Sequence, residues 1–283
     1  MAVSAPTSPA LLELRDLARE VAAEAGRLVL DHRPGALRFS TKSSDVDVVT
    51  EMDQAAQARI LTALAQARPD DAVLGEEEGG RSGRTGITWV VDPIDGTTNY
   101  LYRLPFYAVS VAAVEGDPSV WGAWRPLAGA VVAPALGLAW GAARGHGAVR
   151  WSEHATERLQ ASACRDLPRA LVGTGFSYDA QRRVAQASAL RQVIGSVRDI
   201  RRLGSAALDL CLLAEGSLDG FFESCLNPWD LAAGWLIAVE AGARVGGPGA
   251  SGPDSTLAWG CAPGLDPEFP ALVLGAYGSS GII

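Results

Sequence analysis

The chain has 283 residues, 48% of them hydrophobic, with a net charge of −8. This length and apolar content support a packed core of one large domain or two intimately joined ones, and exclude a disordered composition. The acidic balance weighs against a general nucleic-acid binder, which carries a basic surface. Lys42 is the lone lysine among 24 basic residues. The N-terminus has no basic segment leading into an apolar one, and no apolar run reaches about 18 residues. A cytoplasmic protein with no membrane span is therefore expected. Cys164, Cys211, Cys225 and Cys261 show no CxxC spacing and read as reduced, mostly buried thiols.

Leu11, Leu14, Leu17, Val21, Ala25 and Leu28 recur at helical spacing, predicting a helix over 8–33 that Pro34-Gly35 ends. "DVDVVTEMDQAAQARILTALAQARP" reads as a short strand entering a helix, with Thr50 as N-cap. "DDAVLGEEEGG" is a short strand ending in acids. "WVVDPIDGTTNY" is a buried strand that ends in two aspartates and turns into a helix start. "YAVSVAAVE" and "LAGAVVAPALGLAWGAARG" are successive strands, with residues 116–127 between them expected as an exposed hairpin loop.

Residues 150–170 read as loop-rich. "ALVGTGFS", "RDIRRLG", "SLDGFFE" and "STLAWG" read as strands. "AQRRVAQASALRQVIGSV", "SAALDLCLLAEG" (capped by Ser205, stopped by Gly216), "NPWDLAAGWLIAVEAGA" and "DPEFPALVLGA" read as helices. Helices and strands alternate, with antiparallel strands in the middle, which predicts a layered α/β or α+β fold. No GxGxxG or GxxxxGK[ST] loop follows a strand, so a simple nucleotide-binding sheet is not expected.

The chemistry gathers on carboxylates. Glu76-Glu77, Asp92, Asp95 and Asp230 each stand at a strand end or helix start beside small residues. Oxygen-only ligands suit magnesium, manganese or calcium; no His or Cys in these stretches points to zinc, and no EF-hand loop supports a calcium buffer. An Asp-x-x-Asp turn places two carboxylates near shared cations, and the carbonyl of Ile94 is a further oxygen between them. Gly96, Thr97 and Thr98 offer free N–H groups to a phosphate. Taken singly, each acid is as readily a cap or a turn residue. A divalent cation would relieve the repulsion between the paired aspartates.

These stretches, "GEE", "WVVDPIDGTTNY", "GSAALDLCLLAEGSLDGFFE" and "WDLAAGWLIAVEAGARV", resemble the inositol monophosphatase family, from about Leu11 to Trp259. The resemblance implies an alternating α-β-α-β-α sandwich of the sugar phosphatase type. It implies an N-terminal α+β lobe over 1–150 with most metal ligands and a C-terminal α/β lobe over 151–283 with Asp230 and substrate contacts. It further implies a homodimer, inhibition by Li⁺, and two or three Mg²⁺ per subunit, with Mn²⁺ as an alternative.

Carried over by position, Glu76, Asp92 and the Ile94 carbonyl resemble ligands of a first metal. Asp92, Asp95 and Asp230 resemble ligands of a second, and Glu77 lies near a third. Glu76 and Thr97 resemble the pair that orients the attacking water, with Asp53 supporting Thr97. The mechanism implied is in-line displacement on a phosphate monoester at a two-metal site. Substrate contacts fall on Asp95, Gly96, Thr97, Gly204, Ser205, Ala206, Glu223 and Asp230. Asp47 and Asp53 match acids of the element that holds Lys42. Lys42 is either a cation near the phosphate or third metal, or a surface lysine.

Glu223 can accept hydrogen bonds from two hydroxyls, which suits a polyol and favours inositol 1-phosphate. Relatives in the superfamily act on histidinol phosphate, 3′-phosphoadenosine 5′-phosphate or fructose 1,6-bisphosphate. A bisphosphate would need a second basic patch, for which Arg182-Arg183 and Arg201-Arg202 are the candidates. A regulatory, RNA-associated protein is the alternative outside enzymes.

Overall fold

The computed structural model describes residues 8–32, 39–41 and 48–283, with side chains described for 10–32 and 51–283. Lys42, Asp47, the Pro34-Gly35 stop and the Thr50 cap lie outside what is described. The first helix, α1 (Ser8–Asp31), precedes a two-stranded ribbon of β1 (Phe39–Thr41) and β2 (Val48–Thr50), then α2 (Glu51–Ala67).

A seven-stranded sheet follows. Its strands are β3 (Ala72–Gly75), β4 (Ile87–Asp95), β5 (Ala108–Gly116), β6 (Trp124–Ala133), β7 (Leu138–Ala143), β8 (Ala148–Trp151) and β9 (Thr156–Arg158), in sequence order. β3 runs parallel to β4 and the rest form an antiparallel meander. A short helix, α3 (Thr97–Leu101), leaves the end of β4.

The second sheet has the order β11-β10-β12-β14-β13, from β10 (Leu171–Thr174), β11 (Asp199–Arg201), β12 (Gly220–Glu223), β13 (Arg244–Gly246) and β14 (Ala258–Cys261). Between these strands run α4 (Ala180–Val193), α5 (Ala206–Ala214), α6 (Pro228–Glu240) and, last, α7 (Glu268–Ser279). By sheet membership, we propose the lobe boundary between Arg158 and Leu171; position 150 falls inside β8.

The layering follows from which faces are apolar. β5 and β6 are buried almost end to end, as strands must be when both faces of their sheet are covered. α1 and α2 cover one face. α5 and α6 are apolar nearly all round, so they fill the space between the two sheets. α4 and α7 cover the outer face of the second sheet through Ala189, Val193, Phe269 and Val273. The result is the expected α-β-α-β-α sandwich.

Three details differ from expectation. The loop after β5 is shorter than 116–127, because Trp124 is buried against Trp235 and already belongs to β6. α7 runs on to Ser279, past the expected end of the helix. Cys225 is exposed rather than buried, because it sits in a turn with φ of 68° outside β12, while Cys211 and Cys261 are buried.

The start of β3 is anchored by a buried acid. Asp71 is 1% exposed and accepts bonds from Arg68 Nε (2.7 Å), Thr85 Oγ1 (2.6 Å) and Trp89 Nε1 (2.9 Å). Burial alone would raise its pKa; these donors outweigh it and lower it. Asp71→Ala is expected to cost about 3 kcal/mol, since it strands the buried Trp89 N–H and the Thr85 hydroxyl. A urea unfolding curve checks this, and a change below about 1 kcal/mol would show the latch is dispensable.

Candidate active site

Strand and helix ends converge on one pocket of about 530 Å³. Glu76, Asp92, Ile94, Asp95, Gly96 and Thr97 line it from the first sheet. Arg202, Gly204, Ala206, Glu223 and Asp230 line it from the second sheet and the central helices. The sequence-predicted residues therefore meet from four separate stretches of chain. Glu77 is not among the residues lining the pocket.

Glu76 follows β3, where its N–H donates to the Val91 carbonyl (3.2 Å). Gln57 of α2 holds that turn: its amide donates to the carbonyls of Glu77 (2.6 Å) and Glu78 (2.9 Å) and accepts from the Glu77 N–H (2.9 Å). At the end of β4 the pairing with β5 shifts register between Asp92 and Asp95. Such a bulge re-aims side chains, and here both carboxylates turn to the pocket. Asp92 Oδ1 accepts from the Ile94 N–H (3.0 Å), and the Thr97 hydroxyl donates to the Ile94 carbonyl (3.0 Å).

Gly96 caps α3 at φ 98°. A Cβ there would stand 2.9 Å from the Phe106 carbonyl and 3.1 Å from that of Gly204, so only glycine fits. Asn99 joins the same two segments, donating to the carbonyls of Phe106 (2.6 Å) and Leu203 (2.7 Å).

Asp95 reaches across to the N-terminus of α5. Its Oδ2 accepts from Ser205 Oγ (2.6 Å) and the Ala207 N–H (2.7 Å), while Ser205 also caps the helix at Leu208. Asp230 is at once a pocket acid and half of the capping box of α6, where its Oδ2 accepts from the Asn227 N–H (2.6 Å). Trp229 ties α6 to β5 by accepting from Ser110 Oγ (3.3 Å).

Oxygens of Asp92, Asp95 and Asp230 lie within 4.8 Å of one another. Burial pushes Asp92 well above the ordinary carboxylate range, and the charges of Glu76, Asp95, Asp230 and Asp53 add to it. Burial raises Asp95 to about 6 against the lowering bonds from Ser205 and Ala207. Asp230 rises to about 8 through burial and the charge of Asp95. Asp53, buried in the first turn of α2, is near enough to act on Asp92.

Carboxylates alone in this geometry repel; an all-oxygen set with an adjacent carbonyl and no soft ligand matches a hard divalent cation. On the far side, Glu223 is raised to about 8 by burial and by Asp95.

Of the two arginine pairs considered for a second phosphate, only Arg202 lines the pocket. Arg183 is bonded to the carbonyls of Ser177 and Tyr178, and Arg201 to Asp199. Sequence reasoning missed Gln57, Asn99, Phe176 and Tyr178, all contributed by long-range packing.

A family model described as the inositol monophosphatase family matches residues 10–268. The chain is 44% identical over 272 residues to the inositol-1-monophosphatase of Mycobacterium leprae (strain TN), covering 89% of this chain and 90% of that protein. It is 37% identical over 235 residues to Nus factor SuhB of Escherichia coli (strain K12), covering 81% and 83%. Among solved structures, Mycobacterium tuberculosis SuhB aligns with a TM-score of 0.79 at 39% identity, covering 94% of this chain and 98% of that one. Thermotoga maritima IMPase aligns with a TM-score of 0.81 at 29% identity, again covering 94% and 98%. With the acid cluster, the layered fold and these matches in agreement, the chain belongs to the inositol monophosphatase family.

Proposed function

We propose that the protein hydrolyses phosphate monoesters of a polyol, myo-inositol 1-phosphate first among them, using Mg²⁺. The observation that carries this reading is the meeting of Asp92, Asp95 and Asp230 with Glu76, Thr97 and Glu223 in one pocket. Mycobacterial relatives of 43–44% identity named for inositol-1-monophosphate hydrolysis supply the substrate.

In this reading Glu76, Asp92, the Ile94 carbonyl, Asp95 and Asp230 hold the cations. A divalent ion bound there would neutralise phosphate charge and lower the pKa of a water. The chain's own residues do the rest. Glu76 and Thr97 orient the attacking water, and Asp53 supports them from behind. N–H groups at Gly96 and Thr97 receive phosphate oxygens. Gly204, Ser205 and Ala206 shape the alcohol side, where Glu223 accepts hydroxyl hydrogens. Lys42, Glu77, Li⁺ sensitivity, a homodimer and a cytoplasmic location complete the proposal.

Gly175 offers a test of the alcohol side. A Cβ there would overlap the Glu223 carboxyl. Gly175→Ala is expected to raise KM for inositol 1-phosphate by roughly tenfold, the worth of one misplaced hydrogen bond, with kcat nearly kept. An unchanged KM would remove Glu223 from substrate recognition.

The second reading is an RNA-associated regulator, favoured by the Escherichia coli relatives named Nus factor. The net charge of −8 and the intact acid cluster weigh against it. Phosphate release from myo-inositol 1-phosphate, with Mg²⁺, with Mg²⁺ plus Li⁺, and with chelator, is to be set beside an RNA gel shift at physiological salt. Turnover that needs Mg²⁺ and no RNA shift is expected; an RNA shift without turnover would reverse the choice.

A further inference from the structure

Two segments that leave the second sheet wall the alcohol side of the pocket. One follows β10, where Phe176, Ser177 and Tyr178 line the cavity; the other ends β12, with Glu223, Ser224 and Cys225. Pairing between β10 and β12 stops at Thr174 and Phe222, where the Thr174 hydroxyl donates to the Phe222 carbonyl (2.8 Å). That ladder therefore ends one residue short of Glu223. Beyond it the chains part: Asp179 caps α4, and Cys225 turns at φ 68°.

Gln186 of α4 spans the two segments where the backbone no longer does. Its Oε1 accepts from the Ser177 N–H (2.8 Å), and its Nε2 donates to Ser224 Oγ (2.8 Å). A backbone N–H only donates, so the Ser177 bond fixes the amide oxygen toward β10 and leaves the nitrogen for Ser224. Gln186 and Ser224 are both buried. A buried amide lowers stability unless it is bonded, and here each end is bonded to a different wall. Gln186 does not itself line the pocket.

α4 is firmly seated for this task. Asp179 Oδ1 accepts from the Arg182 N–H (2.7 Å), and the Arg183 guanidinium donates to the carbonyls of Ser177 (3.0 Å) and Tyr178 (2.7 Å). Further along the helix, Ala189 and Val193 share an apolar cluster with Phe222, the residue before Glu223.

We propose that Gln186 is a positioning residue for alcohol recognition: it sets the spacing between the Ser177 and Ser224 segments, and through Ser224 the place of the Glu223 carboxyl. A recognition group works only when supporting bonds hold it to within about 0.5 Å. This rests on the proposed contact of Glu223 with substrate hydroxyls.

The test is steady-state kinetics of the full chain with Mg²⁺ on myo-inositol 1-phosphate and on p-nitrophenyl phosphate, which has no alcohol hydroxyls. Gln186→Met keeps the length of the side chain and removes both bonds. It is expected to raise KM for inositol 1-phosphate about tenfold, with kcat within about twofold. The KM for p-nitrophenyl phosphate stays put, while the melting temperature falls by a few degrees as buried groups lose partners. Ser224→Ala breaks the same bridge from its other end and serves where the methionine variant does not fold; it is expected to raise the same KM about fivefold. The double variant is expected to show no more than the larger single effect, because both changes remove one bridge. Unchanged KM for inositol 1-phosphate in the folded variants overturns the inference. So does an equal rise on both substrates, which marks a purely structural role, and so does full additivity of the two changes. Glu223→Gln, run alongside, separates the two levels. Unchanged KM there removes the Glu223 reading and this inference with it; a raised KM there with unchanged Gln186 and Ser224 variants removes only this inference.

Discussion

Asp95→Asn is expected to lower kcat by about three orders of magnitude or more, several kcal/mol of transition-state stabilisation, while the fold stays intact. Asp95 stands between the acid cluster and the N-terminus of α5, with one oxygen held by Ser205 and Ala207. An asparagine oxygen can accept those same bonds, so α5 keeps its anchor. What is lost is a negative charge inside a buried cluster that already repels itself. Without added metal, the variant should therefore melt at the same temperature as the parent or higher. With Mg²⁺ it should gain less stability than the parent does. Phosphate release and thermal melts in both conditions check the pair of effects. Near-normal turnover would contradict the assignment of Asp95 to the metal, and a collapsed fold would recast it as structural.

The second large effect is a pH-dependent stability that metal reverses. Asp95 and Asp230 have folded-state values of about 6 and about 8, against 3.8 for an ordinary aspartate. In metal-free solution the folded chain thus binds more protons than the unfolded chain from about pH 4 to about pH 8. Stability changes with pH as the proton count of the unfolded state minus that of the folded one. That difference is negative here, so these groups make the protein less stable as pH rises across this window. Asp71 has the opposite sign: its lowered value adds stability that is lost only on acidification below the ordinary aspartate range.

A cation that binds the deprotonated cluster should restore what the rise in pH removes, with the release of protons. At a hundredfold excess over its Kd, one ion adds about 2.7 kcal/mol. The rise in melting temperature caused by Mg²⁺ is therefore expected to be larger near pH 8 than near pH 5.5. Melts across that range, with chelator and with Mg²⁺, decide it. A Mg²⁺ effect that is absent, or larger at the acid end, would contradict a cation held by these carboxylates.

Much of this site was legible because its chemistry is local. "DPIDGTTN" holds two acids, a bulge and a helix start within eight residues, and "NPWDLAAG" joins a capping box to a pocket acid. The layered fold followed from the alternation of helices with strands. What was not legible comes from groups distant in sequence. Gln57 clamps the turn at 77–78 across about twenty positions, and Asn99 bonds to Leu203 across 104. No periodicity encodes such pairs.

Cys225 was misread for a related reason. Its apolar neighbours suggested burial, but the chain turns there with φ of 68° and leaves the thiol outside. β13, only three residues long, carries too little pattern to be seen before its partner β14 is known.

The measurement that tests the account most directly is kcat/KM with Mg²⁺ for myo-inositol 1-phosphate beside histidinol phosphate, 3′-phosphoadenosine 5′-phosphate and fructose 1,6-bisphosphate. The account predicts the highest value for inositol 1-phosphate and its loss on chelation. Preference for another of the four would contradict the alcohol pocket built on Glu223, and turnover that survives chelation would contradict the metal cluster itself.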